Sequence, residues 1–132
     1  MLIELQSHST HSDGQLLAAE VVEEAAKAGV TTLALTDHDA VAGVPEAAAA
    51  AERLGLELVP AVEMSCVHEY AEDLHICGYW IDLEAMAPAC ERAQQERRDR
   101  AGEIVENLRR EGFELTLEDA IREAGGADSI GR

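Results

Sequence analysis

The chain has 132 residues, a formal net charge of −17, and a hydrophobic fraction of 47% in which only 3% of residues are aromatic. That length suits one ordinary domain or a piece of a larger one. Such acidity excludes unassisted binding to nucleic-acid backbones or anionic membranes, so a phosphate-bearing substrate would need cations to supply the positive field.

The pattern alternates strand and helix over the first two-thirds. Leu2 to Ser7 is a short extended run. Leu16 to Ala28 reads as a helix, because Ala18, Val21, Val22, Ala25 and Ala26 recur at spacings of three and four and Gly29 follows. Thr32 to Thr36 is a compact apolar strand without alternation, as in a sheet covered on both faces. Pro45 suits a first helical turn, and the alanine-rich stretch after it runs to Leu54 and Gly55. Leu56 to Val62 is a third strand and His75 to Tyr79 a fourth. The first three recur roughly every 27 residues, the period of βαβ units. After Asp82 the chain becomes charged and helical. Ala101, Ile104, Val105 and Leu108 share one face, and Thr116 with Asp119 marks the start of a last short helix. This tail carries most of the arginines.

Histidines and carboxylates gather where strands give way to loops: Gln6 to Gly14, then Thr36-Asp37-His38-Asp39, then Glu63, then His75. Imidazole with carboxylate is the donor set of a borderline-to-hard divalent metal. Open α/β sheets and barrels build their sites at the carboxyl ends of strands. Residues two apart on a strand share a face, so Gln6 and His8 point together, with His11 and Asp13 in the loop beyond. Glu63 follows an apolar strand, where a carboxylate is costly unless it meets a cation. Asp13 is expected near His38, and Glu63 near His8.

The three cysteines, Cys66, Cys77 and Cys90, show no CxxC spacing and read as reduced thiols. No apolar run approaches roughly 18 residues and no charged-then-apolar leader opens the chain, so a cytoplasmic protein without a membrane partner is expected.

Leu5-Gln6-Ser7-His8-Ser9 with Ser12-Asp13-Gly14, Leu35-Thr36-Asp37-His38-Asp39, Val59-Pro60-Ala61-Val62-Glu63 and His75-Ile76-Cys77-Gly78-Tyr79 resemble successive motifs of the PHP (polymerase and histidinol phosphatase) superfamily. The similarity is greatest to stand-alone bacterial phosphoesterases acting on nucleoside bisphosphates, mononucleotides or short RNA. The resemblance implies an α/β fold: part of a distorted (β/α)₇ barrel, with about four parallel strands and their helices in residues 1–82. A helical inserted segment follows in 83–132.

It also implies up to three divalent ions (Mn, Fe or Zn) held by His8, Asp13, His38, Glu63 and His75, with Glu63 bridging. His8, His38 and Glu63 would carry catalysis. Gln6 stands where the first histidine of the opening HxH motif is expected, and either Gln6 or the nearby His11 is a further metal candidate. Asp37 and Asp39 suit orienting the ligands or capping the loop better than coordinating. His68 has no motif match. Arg97, Arg98 and Arg100 are candidates for holding a substrate phosphate.

The chain ends at Ile130-Gly131-Arg132, where the resemblance places another histidine. An N-terminal piece is therefore expected, inactive alone and open at a sheet edge that would favour a homo-oligomer. The function implied for the full-length protein is a phosphatase, a hydrolase that cleaves a phosphomonoester of a nucleotide, nucleoside bisphosphate or short oligonucleotide by a metal-activated hydroxide. The competing reading is a degenerate or truncated metal-binding or assembly module without catalysis.

Overall fold

The computed structural model describes residues 1–126 and 130, with the backbone alone at 71–73. Gly131 and Arg132, noted in the sequence, lie outside the described residues. The elements are β1 (Ile3–Glu4), α1 (Ala18–Lys27), β2 (Thr32–Leu35), α2 (Val44–Leu54), β3 (Glu57–His68), β4 (Ala71–Tyr79), α3 (Leu83–Arg110) and α4 (Leu117–Glu123). Two compact units result, Met1–Glu91 and Arg92–Arg132, and the division falls inside α3.

The first unit is built on one sheet in the order β1-β2-β3-β4. β1, β2 and β3 are parallel, as βαβ connections require. The sheet curves into a half-barrel, so that the Tyr79 hydroxyl at the end of β4 donates to the Leu5 carbonyl just past β1 at 3.0 Å. Burial, then the Cys77 thiol, pushes the Tyr79 hydroxyl above its usual pKa and keeps it a donor.

One expectation is corrected. β4 is antiparallel to β3, not a fourth parallel strand. Only Glu69 and Tyr70 separate the two strands, too few for the dozen or so residues of a crossover. β3 therefore does not stop at Val62. It runs on to His68 as one arm of a hairpin, with an irregularity between Cys66 and His68. Glu63 and His75 lie within paired strands rather than at strand ends.

Alternation along β2 divides the core. Leu33 and Leu35 point outward into a cluster with Ala18 and Val22 of α1 and Ala47, Ala50 and Ala51 of α2. The small alanine side chains let α2 lie close to the sheet. Ala34 points the other way and packs with Val59 and Ala61 on the inner face. α2 ends at Gly55, whose φ of 74° lies in the left-handed region that glycine enters without penalty. Leu35 is 0% exposed. Leu35→Ala is expected to cost about 3 kcal/mol of stability, the usual price of a buried cavity. Denaturant unfolding of the full-length protein reads this, and an unchanged midpoint would contradict the packing.

The second unit holds the rest of α3 and α4. Thr116 caps α4: its hydroxyl accepts from Asp119 N at 3.1 Å, and the Asp119 carboxylate accepts from Thr116 N at 3.0 Å. The Thr116 hydroxyl first, then Arg122, lowers the Asp119 carboxyl from 3.8 to about 2. The folded value lies below the unfolded one. The contribution of the carboxylate is therefore complete above about pH 4 and lost as pH falls through about 2. Amide-exchange protection in α4 is expected to hold from pH 7 to 4 and to decline toward pH 2, with a flatter profile in Asp119→Asn. Equal acid sensitivity of the two proteins would contradict this cap. Among the described residues, no helix is long and apolar enough to cross a membrane.

Candidate metal centre

The site lies on the inner face of the half-barrel, where segments after β1 and β2 meet the middle of β3. His38 is held between two backbone bonds to β3: Glu63 N donates to the Asp37 carbonyl at 3.2 Å and Asp39 N to the Glu63 carbonyl at 2.9 Å. This parallel bridge sets His38 beside Glu63.

The aspartates flanking His38 are buried, at 1% and 0% exposure, and each ties down a different segment. The Asp37 carboxylate accepts from Ser9 N at 2.6 Å, Ser9 Oγ at 2.7 Å and Ser12 Oγ at 2.6 Å, fixing the loop between His8 and Asp13. Asp39, with a φ of 45°, accepts from Ser65 N and Ser65 Oγ, each at 2.7 Å, two residues past Glu63 on β3. Charge-assisted bonds of this length are strong. Turning a carboxylate into a fixed acceptor also offsets its burial.

The ring of His38 sits between those of His8 and His75, with centroids 4.5 Å and 4.7 Å away. The two oxygens of Glu63 face different partners. Oε2 lies 3.0 Å from His8 Nε2 and 3.9 Å from His38 Nδ1, whereas Oε1 lies 3.2 Å from His75 Nδ1. Asp13 faces the same imidazoles from the loop, its Oδ1 2.7 Å from His8 Nδ1 and its Oδ2 3.7 Å from His38 Nε2. Glu63 and His38 are buried, while the Asp13 side chain is 46% exposed, so the cluster opens to solvent on the Asp13 side.

The donor set fits a divalent ion. One atom each from His8, His38 and Glu63 lies within 4.8 Å of the others. Nitrogen and oxygen donors sit about 2.0–2.2 Å from such an ion, so donors to one ion are at most about 4.4 Å apart. Side-chain shifts of a few tenths of an ångström, roughly, close that gap.

Of the other residues singled out in the sequence, Gln6 meets the cluster, whereas His11 and His68 lie apart from its donor set. His11 is outside this donor set: a Cβ placed on Gly43 would lie 2.8 Å from the His11 ring and 3.2 Å from Asp37, so the ring packs over Gly43. Gln6 reaches the cluster, its amide nitrogen 3.0 Å from Glu63 Oε2. His68 is exposed at the end of β3, its ring against Tyr70. Arg97, Arg98 and Arg100 belong to the helical unit. Sequence reasoning assigned no role to Ser9, Ser12 or Ser65, which anchor the flanking aspartates. For Ser65 the signal is its spacing of two from Glu63, the strand period.

Residues 4–119 match the PHP domain family. The chain is 40% identical over 130 residues to the 5'-3' exoribonuclease Rnm of Salmonella typhimurium, an overlap of 96% of this chain and 44% of that protein. It is 36% identical over 132 residues to the 3',5'-nucleoside bisphosphate phosphatase of Chromobacterium violaceum, covering 98% and 46%. Among solved structures, an amidohydrolase from Chromobacterium violaceum with bound sulfate and no metal superposes with a TM-score of 0.85 at 35% identity. That match covers 100% of this chain and 47% of the other. The chain belongs to the PHP domain family, and it spans less than half the length of these relatives.

Proposed function

We propose that the full-length protein is a metal-dependent phosphoesterase acting on a nucleotide, a nucleoside bisphosphate or a short oligonucleotide. The observation that carries this reading is the convergence of His8, His38 and Glu63 within one ion's reach, with Asp13 and His75 on either side. The names of the relatives support the substrate class: one acts on RNA and one on a nucleoside bisphosphate.

In this reading His8, His38 and Glu63 would hold one ion. Glu63, whose Oε1 faces His75, would also be available to a second ion. Asp13 completes the open side. Bound there, divalent ions (Mn, Fe or Zn) would supply Lewis acidity toward a phosphoryl oxygen and lower the pKa of a water. Asp37 and Asp39 keep His38 and its neighbouring segments in register. With a net charge of −17, the chain depends on its cations to admit an anionic substrate.

The test uses the purified full-length protein, stripped with EDTA and reloaded with Mn²⁺, Fe²⁺ or Zn²⁺. A nucleoside 3',5'-bisphosphate and a 5'-phosphorylated oligoribonucleotide are the substrates. Hydrolysis of at least one, lost on stripping and regained on reloading, is the expected result. One observation favours the second reading, a binding module without catalysis: an amide, Gln6, occupies a place beside Glu63 where an imidazole would bind metal more tightly. Metal uptake without hydrolysis of either substrate would favour that module.

A further inference from the structure

Gln6 and His8 address the same atom. Gln6 Nε2 donates to Glu63 Oε2 at 3.0 Å, and His8 Nε2 lies 3.0 Å from that same oxygen. Both residues lie just past β1, and both side chains meet the Glu63 carboxylate. Gln6 is exposed, whereas Glu63 is only 5% exposed. An exposed side chain thus reaches inward to a buried carboxylate at the centre of the donor set.

The chemistry of the amide settles which end faces Glu63. The amide nitrogen offers two N–H donors and no lone pair for a cation, whereas the carbonyl oxygen is an acceptor only. Turning the amide over would set that oxygen against Glu63 Oε2, two acceptors with no proton between them. The Glu63 carboxylate therefore selects the nitrogen, and the carbonyl end points away. Each carboxylate oxygen has two lone-pair sites. Gln6 takes one site of Oε2 and leaves the other for a cation beside His8 and His38. With Oε1 turned toward His75, the carboxylate is fixed in one rotation.

We propose that Gln6 is a positioning residue: its amide N–H holds the Glu63 carboxylate in the rotation that serves the metal cluster, and Gln6 supplies no ligand itself. This rests on the metal-centre reading above. Hydrogen-bonded partners of metal ligands typically set metal affinity by about 10–100-fold. Gln6 is well suited to test, because an exposed side chain can be changed without a core cost.

The experiment is calorimetric titration of Mn²⁺ into the metal-stripped full-length protein and its variants, alongside denaturant unfolding. Gln6→Met keeps the length and removes the donor. It is expected to weaken Mn²⁺ binding about tenfold or more with an unchanged unfolding midpoint. Gln6→Glu supplies a charged oxygen ligand but no donor, and is expected to bind Mn²⁺ no more tightly than Gln6→Met. Gln6→His adds an imidazole and is expected to bind Mn²⁺ more tightly than Gln6→Met. Wild-type affinity in Gln6→Met would overturn the proposal. So would tighter-than-wild-type binding in Gln6→Glu, the signature of a carbonyl ligand improved by charge. Glu63→Ala is the control that separates two failures. If it keeps wild-type Mn²⁺ affinity, the metal-centre reading itself fails. If it loses the metal while Gln6→Met does not, only the role of Gln6 fails.

Discussion

Glu63→Ala in the full-length protein is expected to abolish phosphoesterase turnover. It should weaken metal binding by more than the roughly 10–100-fold that losing an outer partner of a ligand costs. Glu63 is the buried carboxylate of the cluster and faces three imidazoles, His8 and His38 through Oε2 and His75 through Oε1. Removing it takes a carboxylate away from the proposed donor set and leaves three imidazoles without their shared partner. The loss should not come from unfolding, because the side chain is a polar group on the inner face and lies outside both apolar clusters. His68→Ala is the matched control. His68 lies five residues further along β3, exposed, with its ring tilted against that of Tyr70. It should keep wild-type metal content and turnover. Equal effects of the two substitutions would overturn the ligand assignment.

Gly14→Ala is expected to damage the same site without touching a donor atom. A Cβ at Gly14 would lie 2.4 Å from the His8 carbonyl oxygen, 2.6 Å from the His8 carbonyl carbon and 2.7 Å from Ser9 N. All three are backbone atoms, so no side-chain rotation relieves the contact. The loop closes tightly because Ser12 N and Gly14 N both donate to the Ser9 carbonyl, at 3.0 and 2.9 Å. A methyl group there must push His8 and Asp13 apart. The expected cost is about 1–3 kcal/mol of stability, as for other overpacked sites, with metal affinity reduced at least tenfold. Gly29→Ala makes the contrast. Gly29 has a φ of +83° and nothing within 4 Å of its added Cβ, so alanine there brings backbone strain of about 1–2 kcal/mol but leaves the cluster alone. Stability should fall in both variants, and metal affinity only in Gly14→Ala. Calorimetry with Mn²⁺ reads the difference, and equal metal affinity in the two would contradict the role given to the loop.

Much of this arrangement is legible in the sequence because it rests on short periods. The strand period of two puts Gln6 and His8 on one face. Consecutive parallel strands then bring the residues beyond β1 and β2 next to β3. That reasoning anticipates His8 near Glu63 and Asp13 near His38. Glu63 reads as a strand end because a carboxylate interrupts the apolar run Leu58 to Val62, although the extended backbone continues through Met64, Cys66 and Val67 to His68. The direction of β4 is hidden for a related reason: it depends on a two-residue connection at Glu69 and Tyr70, in a polar stretch that reads as loop. The clamps made by Asp37 and Asp39 are out of reach as well. Their partners Ser9, Ser12 and Ser65 are distant in sequence, and serine carries no pattern that marks a tertiary hydrogen bond. The position of His11 depends on the space left by Gly43, another long-range relation.

His8, His38 and Glu63 are proposed to hold a divalent ion together. Anomalous diffraction from crystals of the full-length protein soaked in Mn²⁺ tests it most directly, because it locates the ion independently of any activity. A peak is expected about 2.0–2.3 Å from a ring nitrogen of His8, a ring nitrogen of His38 and an oxygen of Glu63, at ordinary ligand distances. Crystals that take up Mn²⁺ only at other carboxylates, with no peak among these three side chains, would contradict it.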